Sequence, residues 1–200
     1  MKDQIPQQYT GGKLDTTALA RFPDDTQAAD FYEIAKQRLL MVSQWWEICE
    51  VPLSTFTLTD LSGRTLSRPA QIGDYIKINI PGPGTSAGEG YDWVVIEEIA
   101  EEISEDQKIL SLRARPCANP VNSTDHQTAH FFEPSASSTF QVRLRGKVVS
   151  AEEHGRNEVP NVHTENTLDN IRNTLVGWTA KLGLSYPQWK SLVKGLVKTA

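Results

Sequence analysis

The densest run of reactive side chains in this 200-residue chain is Glu152-Glu153-His154-Gly155-Arg156-Asn157-Glu158. A histidine beside carboxylates has the makings of a general acid–base pair, and an arginine two residues on can clamp an anion. His154, Glu153 and Arg156 are therefore the catalytic candidates, suited to a hydrolase or lyase. No nucleophile accompanies them, so the plainer reading is a charged strand exit turned by Gly155. Arg156 and Asn157 also count as candidates for contact with a ligand or partner.

All four histidines, His126, His130, His154 and His163, fall between positions 126 and 163. The four-residue spacing of His126 and His130 would put both on one helix face, as a metal requires. Pro120 and Pro134 bracket them, however, and the segment has no helical period. Solvated or structural histidines are expected, with no metal and no cofactor.

Two Arg-x-Arg pairs, Arg113 with Arg115 and Arg143 with Arg145, lie in strand-like segments, where a period of two puts each pair on one face. On adjacent strands the four guanidiniums would form a patch for a phosphate, a carboxylate or an acidic partner. The alternative is a solvated outer face balanced by Glu97, Glu98 and Glu152.

The stretch Ile80 to Trp93, IPGPGTSAGEGYDW, invites a phosphate-loop reading. It has no Gly-Lys-Ser/Thr; Pro81 and Pro83 have no N–H to offer, and a strand rather than a helix follows Gly90. A connection between strands is expected, or a flap or partner-binding tip in which Gly82, Gly84, Tyr91 and Trp93 would make contact. Ser, His and Asp all occur, but without a nucleophile elbow. Cys49 and Cys117 lie far apart with no CxxC pair, and both read as reduced thiols.

The totals set the frame. The net charge is −5, with 38% apolar and 22% charged residues. An acidic balance argues against a nucleic-acid binder. No apolar run is long enough for a membrane span, and the N-terminus lacks the apolar stretch of a secretory signal, so a cytoplasmic protein is expected.

Elements that would position these residues follow from periodicity. Residues 1–23 read as an extended polar arm and 24–200 as one domain. Asp24 and Asp25 cap a helix whose apolar face runs through Ala28, Phe31, Ala35, Leu39, Val42 and Trp46. Alternating segments then begin at Thr55, Tyr75, Trp93, Lys108 and Phe140, with Arg145-Gly146-Lys147 as a hairpin turn into a sixth at Val148. Between the fourth and fifth, residues 116–137 form a long loop. Leu168, Ile171, Leu175, Trp178 and Leu182 mark a helix ending at Gly183, and Ser185 to Leu196 a second.

The expected class is α+β: an N-terminal helix, about six antiparallel strands and two C-terminal helices. The sheet either grips a helix across its open face or closes into a small barrel.

The strings Gly73-Asp74-Tyr75-Ile76-Lys77-Ile78-Asn79-Ile80-Pro81-Gly82-Pro83-Gly84, Tyr91-Asp92-Trp93-Val94, Ser138-Thr139-Phe140 and His154-Gly155-Arg156-Asn157-Glu158 resemble an uncharacterised bacterial family of Bacteroidetes type. The resemblance runs from about the first helix to the C-terminus. It implies a bacterial cytosolic origin and assigns no residue a role.

The leading expectation is a non-enzymatic binding or interaction protein whose partner, protein or small molecule, is unspecified. Its working surface would be the glycine loop, the long loop and residues 154–158. The alternatives are a small-ligand pocket under the C-terminal helix, walled by Trp45, Trp46, Trp93 and Trp178, and the His154-based enzyme.

Overall fold

A computed structural model describes residues 4–80, 85–122, 124, 126–162, 164, 169, 170, 173 and 185–199. Seven strands form one antiparallel sheet: β1 (Gly12–Arg21), β2 (Thr55–Thr59), β3 (Tyr75–Asn79), β4 (Asp92–Ile103), β5 (Lys108–Pro116), β6 (Ser137–Arg145) and β7 (Val148–Glu158). Helices α1 (Asp25–Leu40) and α2 (Trp45–Ile48) connect β1 to β2, and α3 (Ser185–Leu196) ends the chain. The strand order is β1-β7-β6-β5-β4-β3-β2. β1 and β2 are the edges, so the sheet is open and the barrel alternative falls.

Two expectations need correction. Among the described residues the first element is a strand, and there are seven strands rather than six. β1 escaped notice because its inward positions, Leu14, Thr16, Ala18 and Ala20, are mostly small or polar, while Leu19 faces outward and is exposed. Alternation that weak resembles an arm. The strand is held by its register on β7, from Gly12 opposite Glu158 to Arg21 opposite Val148. Of the two C-terminal helices, only α3 falls within the description; Leu168, Ile171, Leu175, Trp178, Leu182 and Gly183 lie outside the described residues, as do Gly82, Gly84 and His163.

Asp24 caps α1, its carboxylate accepting the Gln27 N–H at 2.8 Å. The helix stops at Met41, where ψ reaches 64°, and a 3-10 turn at Val42–Gln44 leads into α2. That break aims Trp45 inward and leaves Trp46 exposed. α1 packs on β5, β6 and β7, and α3 on β1, β7 and α2.

The helices join closely. Arg38 donates to the Gly195, Leu196 and Lys198 carbonyls at the end of α3, at 3.3, 3.1 and 2.8 Å. This satisfies carbonyls that a helix terminus leaves open. Gln188 and Ser191 of α3 accept N–H groups of Val51, Leu53 and Ser54. Between the helices and the sheet lie Trp45, Phe56, Phe140 and Trp189, with ring centroids 4.9 to 5.8 Å apart.

Candidate functional site

The run from Glu152 to Glu158 lies on β7, and the pleat separates its members. Even positions face outward, where His154 sits between two carboxylates: Nδ1 is 2.6 Å from Asp15 Oδ1, and Nε2 is 3.1 Å from Glu152 Oε2. Arg156 donates to Asp15 at 2.7 Å and to the Leu14 and Gly155 carbonyls. These contacts outweigh Asp15's own partial burial, and its carboxyl falls to about 2. Odd positions face the helices, so Glu153 is turned away from His154 and is wholly buried.

A bulge then changes the alternation. Between Gly12–Glu158 and Leu14–Gly155, β1 advances two residues and β7 three. Asn157 takes up the extra residue at φ 56°, a left-handed conformation that asparagine tolerates. Its side chain accepts the Tyr9 and Thr10 N–H groups and donates to the Gln7 carbonyl. Bulges re-aim side chains. Here Glu158 comes to the same face as Glu153 and joins the wall of a cavity.

That cavity has a volume of about 40 Å³. Its apolar wall includes Trp45, Phe56, Phe140, Trp189, Ile76, Ile78, Val94 and Phe132, and its polar wall His130, Ser137, Ser138 and Glu158. Burial pushes the Glu158 carboxyl up to about 7, with Arg156 opposing part of the rise. Glu153 is raised well above the ordinary carboxyl range, first by burial and then by Glu158 and Asp15.

The long loop closes one side of the cavity. The Trp93 N–H donates to the Ala129 carbonyl at 2.7 Å, and Ala129 donates to Cys117 at 2.9 Å. Its other edge is tied to the chain after β7, with Glu133 donating to Val159 and Asn161 to Phe131. This brings His130, Phe132 and Ala136 into the wall. His130 Nδ1 accepts the Phe132 N–H at 2.9 Å, while His126 is exposed. Among the described residues, no three His, Cys, Asp or Glu side chains converge as a metal site.

The remaining candidates lie elsewhere. Arg113 pairs with Glu97 at 3.0 Å and Glu98 at 2.5 Å, and Arg115 pairs with Glu97. A second bulge, between Ile96 and Glu98, is what lets Glu97 reach both arginines. Arg143 lies 3.6 Å from Glu152, and Arg145 is exposed. The outer face is thus a charge-paired surface. In the glycine loop, Thr85 Oγ1 donates to the Tyr91 carbonyl at 2.7 Å and accepts the Gly88 N–H at 3.1 Å. The Ser86 N–H donates to the carboxylate of Asp169 at 2.9 Å. Tyr91 lies under the Lys77 ammonium, 3.6 Å from its centroid, and Trp93 is buried with its indole N–H directed to the Gly88 carbonyl.

Sequence reasoning placed Glu158 only within the 154–158 working surface, not in a pocket, and missed the cavity wall of Phe56, Phe140, Ser137, Ser138 and Trp189. The one available signal was the Gly155–Asn157 pair, whose residue types suit a bulge.

The open sheet with helices across one face is a helix-grip arrangement. No family model matches the chain, so the resemblance to an uncharacterised bacterial family gains no support from that comparison. No curated protein matches it. Among solved structures, a hypothetical protein from Helicobacter pylori is similar, with 11% identity over 92% of this chain and 87% of its own and a TM-score of 0.46. A protein from Arthrobacter aurescens has 12% identity over 94% of this chain and 88% of its own, with a TM-score of 0.40. Ara h 8.0201 has 11% identity over 94% of this chain and all of its own, with a TM-score of 0.36. No helix among the described residues is long and apolar enough to cross a membrane.

Proposed function

We propose that this protein binds a small, mainly apolar ligand in the cavity between the helices and the inner face of the sheet. The observation that carries the reading is the wall itself: five aromatic residues, Trp45, Phe56, Phe132, Phe140 and Trp189, with several aliphatic side chains and the polar groups of His130, Ser137, Ser138 and Glu158. Ligand sites commonly have this composition, apolar walls with a few placed polar groups. The pocket is favoured over a partner-binding surface because the outer arginines are paired with carboxylates and the long loop is tied down as cavity wall. His154 lies on the opposite face from the cavity, which weighs against an enzyme built on it.

The cavity of about 40 Å³ has room for roughly three waters, whereas a cavity that binds benzene measures about 150 Å³. A ring-sized guest therefore requires the wall to yield; Trp189 is the least buried of its aromatic residues. Cys49 and Cys117 are both free, which supports the cytoplasmic location expected from the sequence.

The test is an NMR screen of small aromatic compounds against the wild type and Ala136→Leu, which fills the cavity from its wall. Compounds that shift Trp45 and Trp189 signals in the wild type lose their effect in the variant. Binding that persists unchanged in Ala136→Leu refutes the site.

A further inference from the structure

The inner face of the sheet carries two carboxylic acids, Glu153 and Glu158. Glu153 is wholly buried, and neither of its oxygens has a hydrogen-bond partner. The Ser138 side chain interacts with its carboxyl and offsets a small part of its rise, and Glu158 is the charge it feels most. Ser138 and Glu158 both line the cavity, as does Ser137, whose buried hydroxyl is also without a partner. Arg156 does not neutralise the pair by contact, since its guanidinium is spent on Asp15 and two carbonyls.

A buried carboxyl with no partner costs the fold stability, and residues that carry this cost are kept for specificity or function. The complement to such carboxyls is a donor, preferably a cationic one. The cavity wall also presents the rings of Trp45, Phe56, Phe140 and Trp189, whose faces attract cations and whose area suits an apolar body. A metal ion is a poor fit. Two carboxyls and two hydroxyls fall short of the six to eight oxygens that calcium takes, and the aromatic walls add none.

We propose that the cavity takes a protonated organic amine, with the ammonium held at Glu158 and the Ser138 hydroxyl, Glu153 lying behind them, and the apolar body against the aromatic wall. This rests on the pocket reading above and names its ligand class. Arg156 on β7, Asp15 on β1 and His130 on the long loop are the other charged or titratable groups near the two acids. Ionised Glu158 predominates at pH 8, given a carboxyl at about 7.

A matched series tests it: benzylamine, benzyl alcohol and benzoate, titrated into the full chain at pH 8 and followed by calorimetry and amide shifts. Benzylamine binds about ten-fold more tightly than benzyl alcohol, and benzoate binds least. Glu158→Gln, which is isosteric, brings the amine-to-alcohol ratio down to within about two-fold. Equal binding of amine and alcohol overturns the amine assignment and leaves the pocket standing. So does a preference that survives in Glu158→Gln. No binding by any of the three compounds overturns the pocket and the amine together.

Discussion

Glu158→Gln provides the sharpest test of the inward-facing carboxyls, because it leaves shape intact and removes one titration. Raising a carboxyl from its ordinary 4.5 to about 7 penalises its ionised form in the fold by about 3 kcal/mol. Glu158 is not wholly buried, so solvent screening brings the working figure nearer 2 kcal/mol. The sign follows from linkage. Between about pH 4.5 and 7 the folded protein holds a proton that the unfolded chain has released, so stability falls as pH rises through this window. Glu153 acts in the same direction, whereas the depressed Asp15 acts only in acid, near pH 2. Urea denaturation from pH 5 to 9 should therefore show the wild type losing about 2 kcal/mol more than Glu158→Gln, a midpoint difference on the order of 1 M. Parallel pH profiles for the two proteins would refute the placement of Glu158 on the inner face.

Three further outcomes check other parts of the structure. Asn157→Val should lose about 2–4 kcal/mol, from a branched side chain forced into the left-handed region and from the lost contacts to residues 7–10; Asn157→Gly keeps the backbone and should lose less, about 1 kcal/mol. Urea curves giving equal stability for the two variants would contradict the bulge. Gly195→Ala places a Cβ 2.1 Å from the Ile48 carbonyl oxygen, so α3 must shift away from α2. A net loss of about 1–3 kcal/mol is expected by chemical denaturation, although alanine favours helices. Burial pushes the Cys117 thiol up to about 12 and raises Cys49. Both should react with a disulfide reagent at pH 8 far more slowly in the folded than in the unfolded protein; reaction at the unfolded rate would show that they are not buried.

Much of the architecture is legible in the chain. The period of two through Thr55–Thr59, Tyr75–Asn79 and Lys108–Pro116 marks strands, because one face of each meets the core. The Gly146 turn specifies the β6–β7 hairpin, its φ of 53° being one that glycine adopts without strain. Asp24 is a cap in sequence and in structure. β1 is not legible, because an edge strand with small inward residues gets its stability from pairing with β7, whose residues lie far along the chain, as in the Asp15–His154 pair.

The candidate site divides along the same line. Glu153, His154 and Arg156 stand out in sequence as one polar cluster. The strand pleat sends the first to one face and the other two to the opposite face. Whether Glu158 points inward or outward depends on a one-residue slip between β1 and β7, and Asn157 permits the slip without dictating it. The sequence determined which residues are available and which local elements they form, because period, caps and turns are short-range properties of the chain. Only the tertiary structure decided which carboxyls face the aromatic cavity and which are neutralised outside it. That choice depends on strand register and on long-range packing, which are set by contacts between segments far apart in the chain.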